Sequence, residues 1–158
     1  MKIYLTGSNV SWQGGDEALN MYLSGTGLWR YALDGTRHLT LPGLHSFYVL
    51  ESFAYIQTDD ILIPLIPYFK GFMLDSGAFT FMQQQKQKSV AVDFDAYLDK
   101  YIAFINTYHI DQFFELDIDN LVGYEKVKQY RRILEKRTGK QCIPVWHRNR
   151  GKDEFLRL

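Results

Sequence analysis

The sequence is short of cysteine: Cys142 is the one residue of its kind among 158. That excludes a disulfide within the chain and a cysteine-based zinc site, and it fits a reducing cytoplasm, the compartment expected here. Long apolar runs are missing too. No window approaches the roughly 18 consecutive apolar residues that a membrane helix requires, and the opening MKIYLTGSNV is too polar for a signal peptide. The glycines of Gly14-Gly15 and of SGTGLW at 24–29 are followed by no Lys-Ser/Thr pair. Their spacing also misses the dinucleotide fingerprint, so they indicate no phosphate loop.

Net charge is zero, yet the charges are segregated. Residues 1–122 carry 7 Lys/Arg against 14 Asp/Glu, whereas residues 123–152 carry 10 against 2. A basic segment beside an acidic body reads as a phosphate footprint or as a solvated helix face. What is abundant is core material: 46% hydrophobic and 16% aromatic residues, with 23% charged. That supports one globular domain over residues 1–158.

Along the chain, KIYLT at 2–6 predicts a strand, and residues 8–43 read as an irregular loop with one short helix near 16–23. Phe47, Leu50, Phe53, Ala54 and Gln57 stand at helical spacing, which predicts an amphipathic helix over 44–57. DILIPLIPYF at 60–69 holds Pro64 and Pro67 and is expected to be a connector. GFMLD at 71–75 predicts a buried strand, and QQQKQK at 83–88 a polar tip. Asp93 is placed to cap a helix carrying Phe94, Leu98, Tyr101, Ile105 and Tyr108. FFELDI at 113–118 and CIPVW at 142–146 predict two more strands. Between them, Val127, Tyr130 and Leu134 mark the inner face of a helix over 124–138, with Gly139 as its terminator. KDEFLRL opens a further helix. Strands alternating with helices imply a parallel sheet, hence an α/β fold. Four βα units are half of a (β/α)₈ TIM barrel, and a small doubly wound sheet is the alternative.

Strand parity then sorts the acids. Side chains alternate between faces, so Met73 and Asp75 share one face of 72–76, opposite Phe72 and Leu74. In 113–119 the same rule groups Glu115, Asp117 and Asp119. Burying that row among apolar side chains costs several kcal/mol per acid, so the row is expected to face the barrel interior, converging with Asp75. His147 lies at the carboxyl end of the next strand. Asp75 is also placed to cap the element that follows it. Two chemistries suit the constellation. Carboxylates with a polar partner perform acid/base work or accept hydrogen bonds from an amidine-like edge. Alternatively, Asp117, Asp119 and His147 hold a divalent metal that activates water, as in a metal-dependent hydrolase.

LDSGAF at 74–79 resembles the DSGGF-type motif of the tRNA-guanine transglycosylase superfamily. FFELDID at 113–119 is similar to that family's second aspartate strand, and IPVWH at 143–147 falls where the next strand follows. The spacing looks most like the short phage-borne members. The resemblance implies a TIM barrel of which this chain is the N-terminal part. It also implies exchange of guanine in tRNA or DNA for a 7-deazaguanine such as queuine, in the cytoplasm of the cell or phage host. Carried over, Asp75 is the catalytic acid/base residue. Ser76, Gly77 and Phe79 line the base pocket, and Asp117 reads the Watson–Crick edge, with Asp119 and His147 beside it. No cofactor and no metal are implied. Three departures stand out: Ala78 replaces a glycine, the family's nucleophile has no counterpart here, and its Cys/His zinc site is missing. A fragment, a reduced homologue, a chain completed by a partner, or a non-catalytic purine-binding module would each show this pattern.

Overall fold

The computed structural model describes residues 4–6, 29–31, 37–39, 48–59, 62–78, 80 and 92–157. Among them the chain is a mixed α/β protein built on a small parallel sheet. Strands β1 (Tyr4–Thr6), β4 (Tyr48–Ser52), β5 (Gly71–Asp75) and β6 (Gln112–Phe113) lie side by side in chain order, every neighbouring pair parallel. A parallel bridge from Phe114 to Ile143 adds the next segment beyond β6. Strands β2 (Trp29–Tyr31) and β3 (Arg37–Leu39) form a separate antiparallel pair within the stretch expected to be irregular. The helix expected at 16–23 and the polar tip at 83–88 lie outside the described residues.

One element differs in type. Residues 44–57 were expected to be helical, but 48–52 form β4, and helix α1 (Phe53–Ile56) follows. Tyr48 to Ser52 pair residue by residue with Gly71 to Asp75 on one side, and Tyr48 to Leu50 pair with β1 on the other. Ladder bonds on both edges override a helical spacing that only the last few residues then use. Gly71 permits this closeness, because a Cβ there would come within 2.7 Å of the Tyr48 ring. The proline connector folds into a 3₁₀ helix, Ile63–Tyr68.

Two long helices form where the periodicity places them. Helix α2 (Phe94–Thr107) starts at Asp93, whose Oδ1 accepts the Ala96 N–H at 2.9 Å. Helix α4 (Tyr124–Thr138) buries Val127, Tyr130 and Leu134 and ends at Gly139, in the left-handed region at φ 69°. Both pack on the sheet face that carries Leu74 and Phe113. The Tyr101 ring of α2 meets Phe113 edge-on, and the Phe53 ring lies 5.1 to 5.3 Å from Tyr97, Tyr101 and Phe104. The Tyr101 hydroxyl reaches the carbonyls of Leu74 and Phe114 and so ties two adjacent strands together. Among the described residues, no helix is long and apolar enough to cross a membrane.

The strand expected over 113–118 is shorter. After Phe114 and Glu115 the chain turns, with the Ile118 N–H donating to the Leu116 carbonyl at 2.9 Å. Helix α3 (Asp119–Val122) follows directly. The strand expected over 142–146 pairs only at Ile143, and a 3₁₀ turn (Arg148–Arg150) leads into helix α5 (Lys152–Phe155).

Candidate functional site at the carboxyl ends of the strands

At the end of β5 the chain makes a tight turn. Met73 and Asp75 occupy the more open face and Phe72 and Leu74 the buried one, as parity requires. The Gly77 N–H donates to Asp75 Oδ2 at 2.9 Å, so Asp75 closes its own turn with one oxygen. No hydrogen bond engages Oδ1 among the described residues. Ser76 does not line an open pocket: it is 1% exposed, and its Oγ has no hydrogen-bond partner among the described residues. Its carbonyl accepts the Tyr97 hydroxyl at 2.7 Å. Burial first, and the charge of Asp75 second, push the Tyr97 phenol far up, and Tyr101 shifts the same way. Both therefore stay protonated donors. Gly77 sits at φ 77° with no room for a side chain. Phe79 lies outside the described residues.

The acidic row is arranged differently from the expectation. Glu115 shares the side of Phe113 and is 0% exposed, facing the helices and not a barrel interior. Its burial is tolerated because α4 supplies a counter-charge: the Arg131 Nε–H donates to Glu115 Oε2 at 2.7 Å. The Val145 N–H donates to Oε1 at 2.8 Å. Burial works most strongly against the Arg131 charge, but the hydrogen bond to Glu115 and the charges of Glu115 and its other neighbours together raise the guanidinium above its ordinary range. The acid departs from the expected face because its partner, 16 residues later in the chain, offsets the cost of burying it.

Asp117, Asp119 and His147 do come together. His147 Nε2 lies 2.5 Å from Asp117 Oδ1 and 3.8 Å from Asp119 Oδ1. At their centre is a residue that motif reading missed, Arg150. Its Nη2 and Nε lie 2.8 and 3.0 Å from Asp119 Oδ2, and Nη2 is 3.7 Å from Asp117 Oδ1. Nη1 donates to the Val145 carbonyl and approaches Glu115 Oε1 at 3.8 Å. The guanidinium stacks over the Tyr124 ring at 4.2 Å. The signal for Arg150 was present in the row of acids, which demanded a cation; nothing local said which one. No hydrogen bond or ion pair joins this cluster to Asp75 among the described residues. The register pairs Leu74 with Phe113, and Asp117 follows the turn after β6, beyond the level of Asp75.

The basic segment is largely absorbed by the acidic body. Lys126 pairs with Asp95, Arg131 with Glu115, Arg137 with Asp99, Lys140 with Asp111 and Arg150 with Asp119, while Lys128 pairs with Glu125 in its own helix. Arg132, Lys136, Arg148 and Lys152 have no carboxylate partner among the described residues. A cavity of about 440 Å³ lies at the opposite, amino-terminal ends of β4, β5 and β6 and includes none of these site residues.

Cys142 stands apart from the site. Burial first, then the carboxylates of Glu135 and Glu115, push its thiol up from 9.0 to about 12. A thiol held neutral is a poor nucleophile, so a disulfide reagent at about pH 8 should leave the native protein unmodified and react only after unfolding. The same shift has a stability consequence. The fold binds this proton more tightly than the unfolded chain, so the contribution is whole below pH 9 and is lost as pH rises toward 12. Tyr97 and Tyr101 act in the same direction above pH 10. The urea midpoint should therefore fall between about pH 8 and pH 11.

Fold and site together define a class: a mixed α/β protein with ionisable side chains at the carboxyl ends of adjacent parallel strands. No family model, no curated protein and no solved structure matches this chain.

Proposed function

We propose that this chain is the base-binding part of a glycosyltransferase-like protein that exchanges guanine in tRNA or DNA for a 7-deazaguanine. The observation that carries the reading is the placement of the two quoted motifs. LDSGAF and FFELDID leave the carboxyl ends of β5 and β6, neighbours in one parallel sheet, where α/β proteins bind ligands. Strands in chain order, with α2 and α4 on one face, support a singly wound β/α barrel over a doubly wound sheet, whose strand order would reverse.

Asp75 is the acid/base residue, with Oδ2 fixed by Gly77 and Oδ1 left to meet a substrate proton. Asp117 accepts from the N–H groups of a purine edge while His147 orients it through Oδ1. Arg148 and Lys152, next to His147 in the chain, are the free cations closest in sequence for backbone phosphates.

The test is incorporation of a labelled 7-deazaguanine base into tRNA and into duplex DNA. Asp75→Ala should lower exchange by about 10²-fold or more while leaving the circular dichroism spectrum unchanged. Exchange at the wild-type rate in that variant would remove the proposal. Tight binding of the free base with no turnover in the wild type would instead mark a purine-binding module.

The metal-dependent hydrolase is the weaker reading. Asp117, Asp119 and His147 each offer one ligand atom, all within 4.8 Å of one another. However, Arg150 already places a positive charge among them.

A further inference from the structure

We propose that Arg150 is the resident cation of this carboxylate–histidine cluster. In the wild-type chain a guanidinium does the work that three such ligands elsewhere give to a divalent metal, and a divalent ion binds there only when Arg150 is removed. The inference stands independently of base exchange, because its readouts are ion binding and stability.

Three observations converge on it. First, Arg150 is built in rather than draped over the surface. Its side chain is 4% exposed, it touches Asp119 with two nitrogens, and it lies within 4 Å of carboxylate oxygens from Asp117 and Glu115. A planar fork over an aromatic ring suits this geometry, and the guanidinium brings its positive charge to the carboxylates. Second, the nitrogen that would ligate a metal is committed. His147 Nε2 sits 2.5 Å from Asp117 Oδ1, so a metal could take that nitrogen only by displacing this contact. Third, the Asp119 side chain is 6% exposed, and its Oδ1 has no hydrogen-bond partner among the described residues, although it lies 3.8 Å from His147 Nε2. That oxygen remains a ligand in waiting once the guanidinium is gone.

The backbone fits the assignment. Arg150 ends the 3₁₀ turn that begins directly after His147, and its N–H donates to the His147 carbonyl at 2.9 Å. Gly151, at φ 79°, turns the chain away, and the Trp146 indole N–H donates to its carbonyl at 2.9 Å. Histidine and arginine thus arrive on one short, fastened loop.

The experiment titrates the full chain with Mn²⁺, followed by electron paramagnetic resonance, and with Zn²⁺ by calorimetry. The wild type should show no stoichiometric uptake below about 1 mM, and neither ion should raise its Tm. Arg150→Ala should gain one site at least about tenfold tighter, with a metal-dependent rise in Tm, and adding Asp119→Asn should abolish the gain. Arg150→Lys keeps the charge and should refuse the ion as the wild type does. If Arg150→Ala is unfolded without metal, Arg150→Gln takes its place, and recovery of folding on adding Mn²⁺ reads the same gain. Stoichiometric micromolar binding to the wild type that Asp119→Asn abolishes would overturn the proposal. So would folded Arg150→Ala and Arg150→Gln variants that bind no better than the wild type.

Discussion

Arg131→Met is expected to lower the free energy of unfolding by roughly 3–5 kcal/mol, the cost of leaving one member of a buried ion pair without its partner. Glu115 is 0% exposed, and Arg131 Nε is the nearest cation, at 2.7 Å. Arg150 Nη1 at 3.8 Å is too far to replace it. Methionine keeps much of the apolar volume of the arginine stem, so the loss is electrostatic more than steric. Adding Glu115→Gln should recover a good part of the deficit, because the amide removes the orphaned charge and its oxygen still accepts the Val145 N–H. Urea unfolding of the wild type, both single variants and the double variant gives the coupling directly. A loss below about 1 kcal/mol in Arg131→Met would show that the pair behaves like an exposed one.

Gly77→Ala should cost roughly 2–5 kcal/mol, from backbone strain plus overpacking. At φ 77° the left-handed conformation already penalises a side chain. The added Cβ would also come within 2.7 Å of Ala54 Cβ, 3.0 Å of the Ala54 nitrogen and 3.0 Å of the Tyr97 hydroxyl. The first two contacts are with α1, directly after β4, so neither can swing aside as a flexible side chain would. Gly139→Ala is the control. Its φ is 69°, but nothing lies within 4 Å of the new Cβ, so only the backbone term, about 1–2 kcal/mol, should appear. Equal losses at the two positions would mean that the Ala54 contact relaxes freely.

Much of the frame could be read from the chain. Asp93 capped its helix, Leu98, Tyr101 and Ile105 turned inward, and Gly139 ended α4, because each depends on contacts within a few residues. The faces of β5 followed from alternation alone. Residues 48–52 were misread because Leu50 and Phe53 fit a helical stripe, and only the strands on either side made an extended ladder cheaper. Arg150 and Arg131 carried no motif of their own, so no local pattern marked them as partners of Glu115, Asp117 and Asp119.

What the sequence determined by itself is therefore the two long helices with their ends and, in β5, which way each side chain points. Those follow from the geometry of a single strand or helix. What only the tertiary structure decided is the company the acids keep. Glu115 faces the helices because Arg131 is there to meet it, and Asp119 lies beside a guanidinium that arrives 31 residues later. Ion pairing acts through space and weakens as the charges separate, so crossovers that bring distant segments side by side determine it, and spacing along the chain does not.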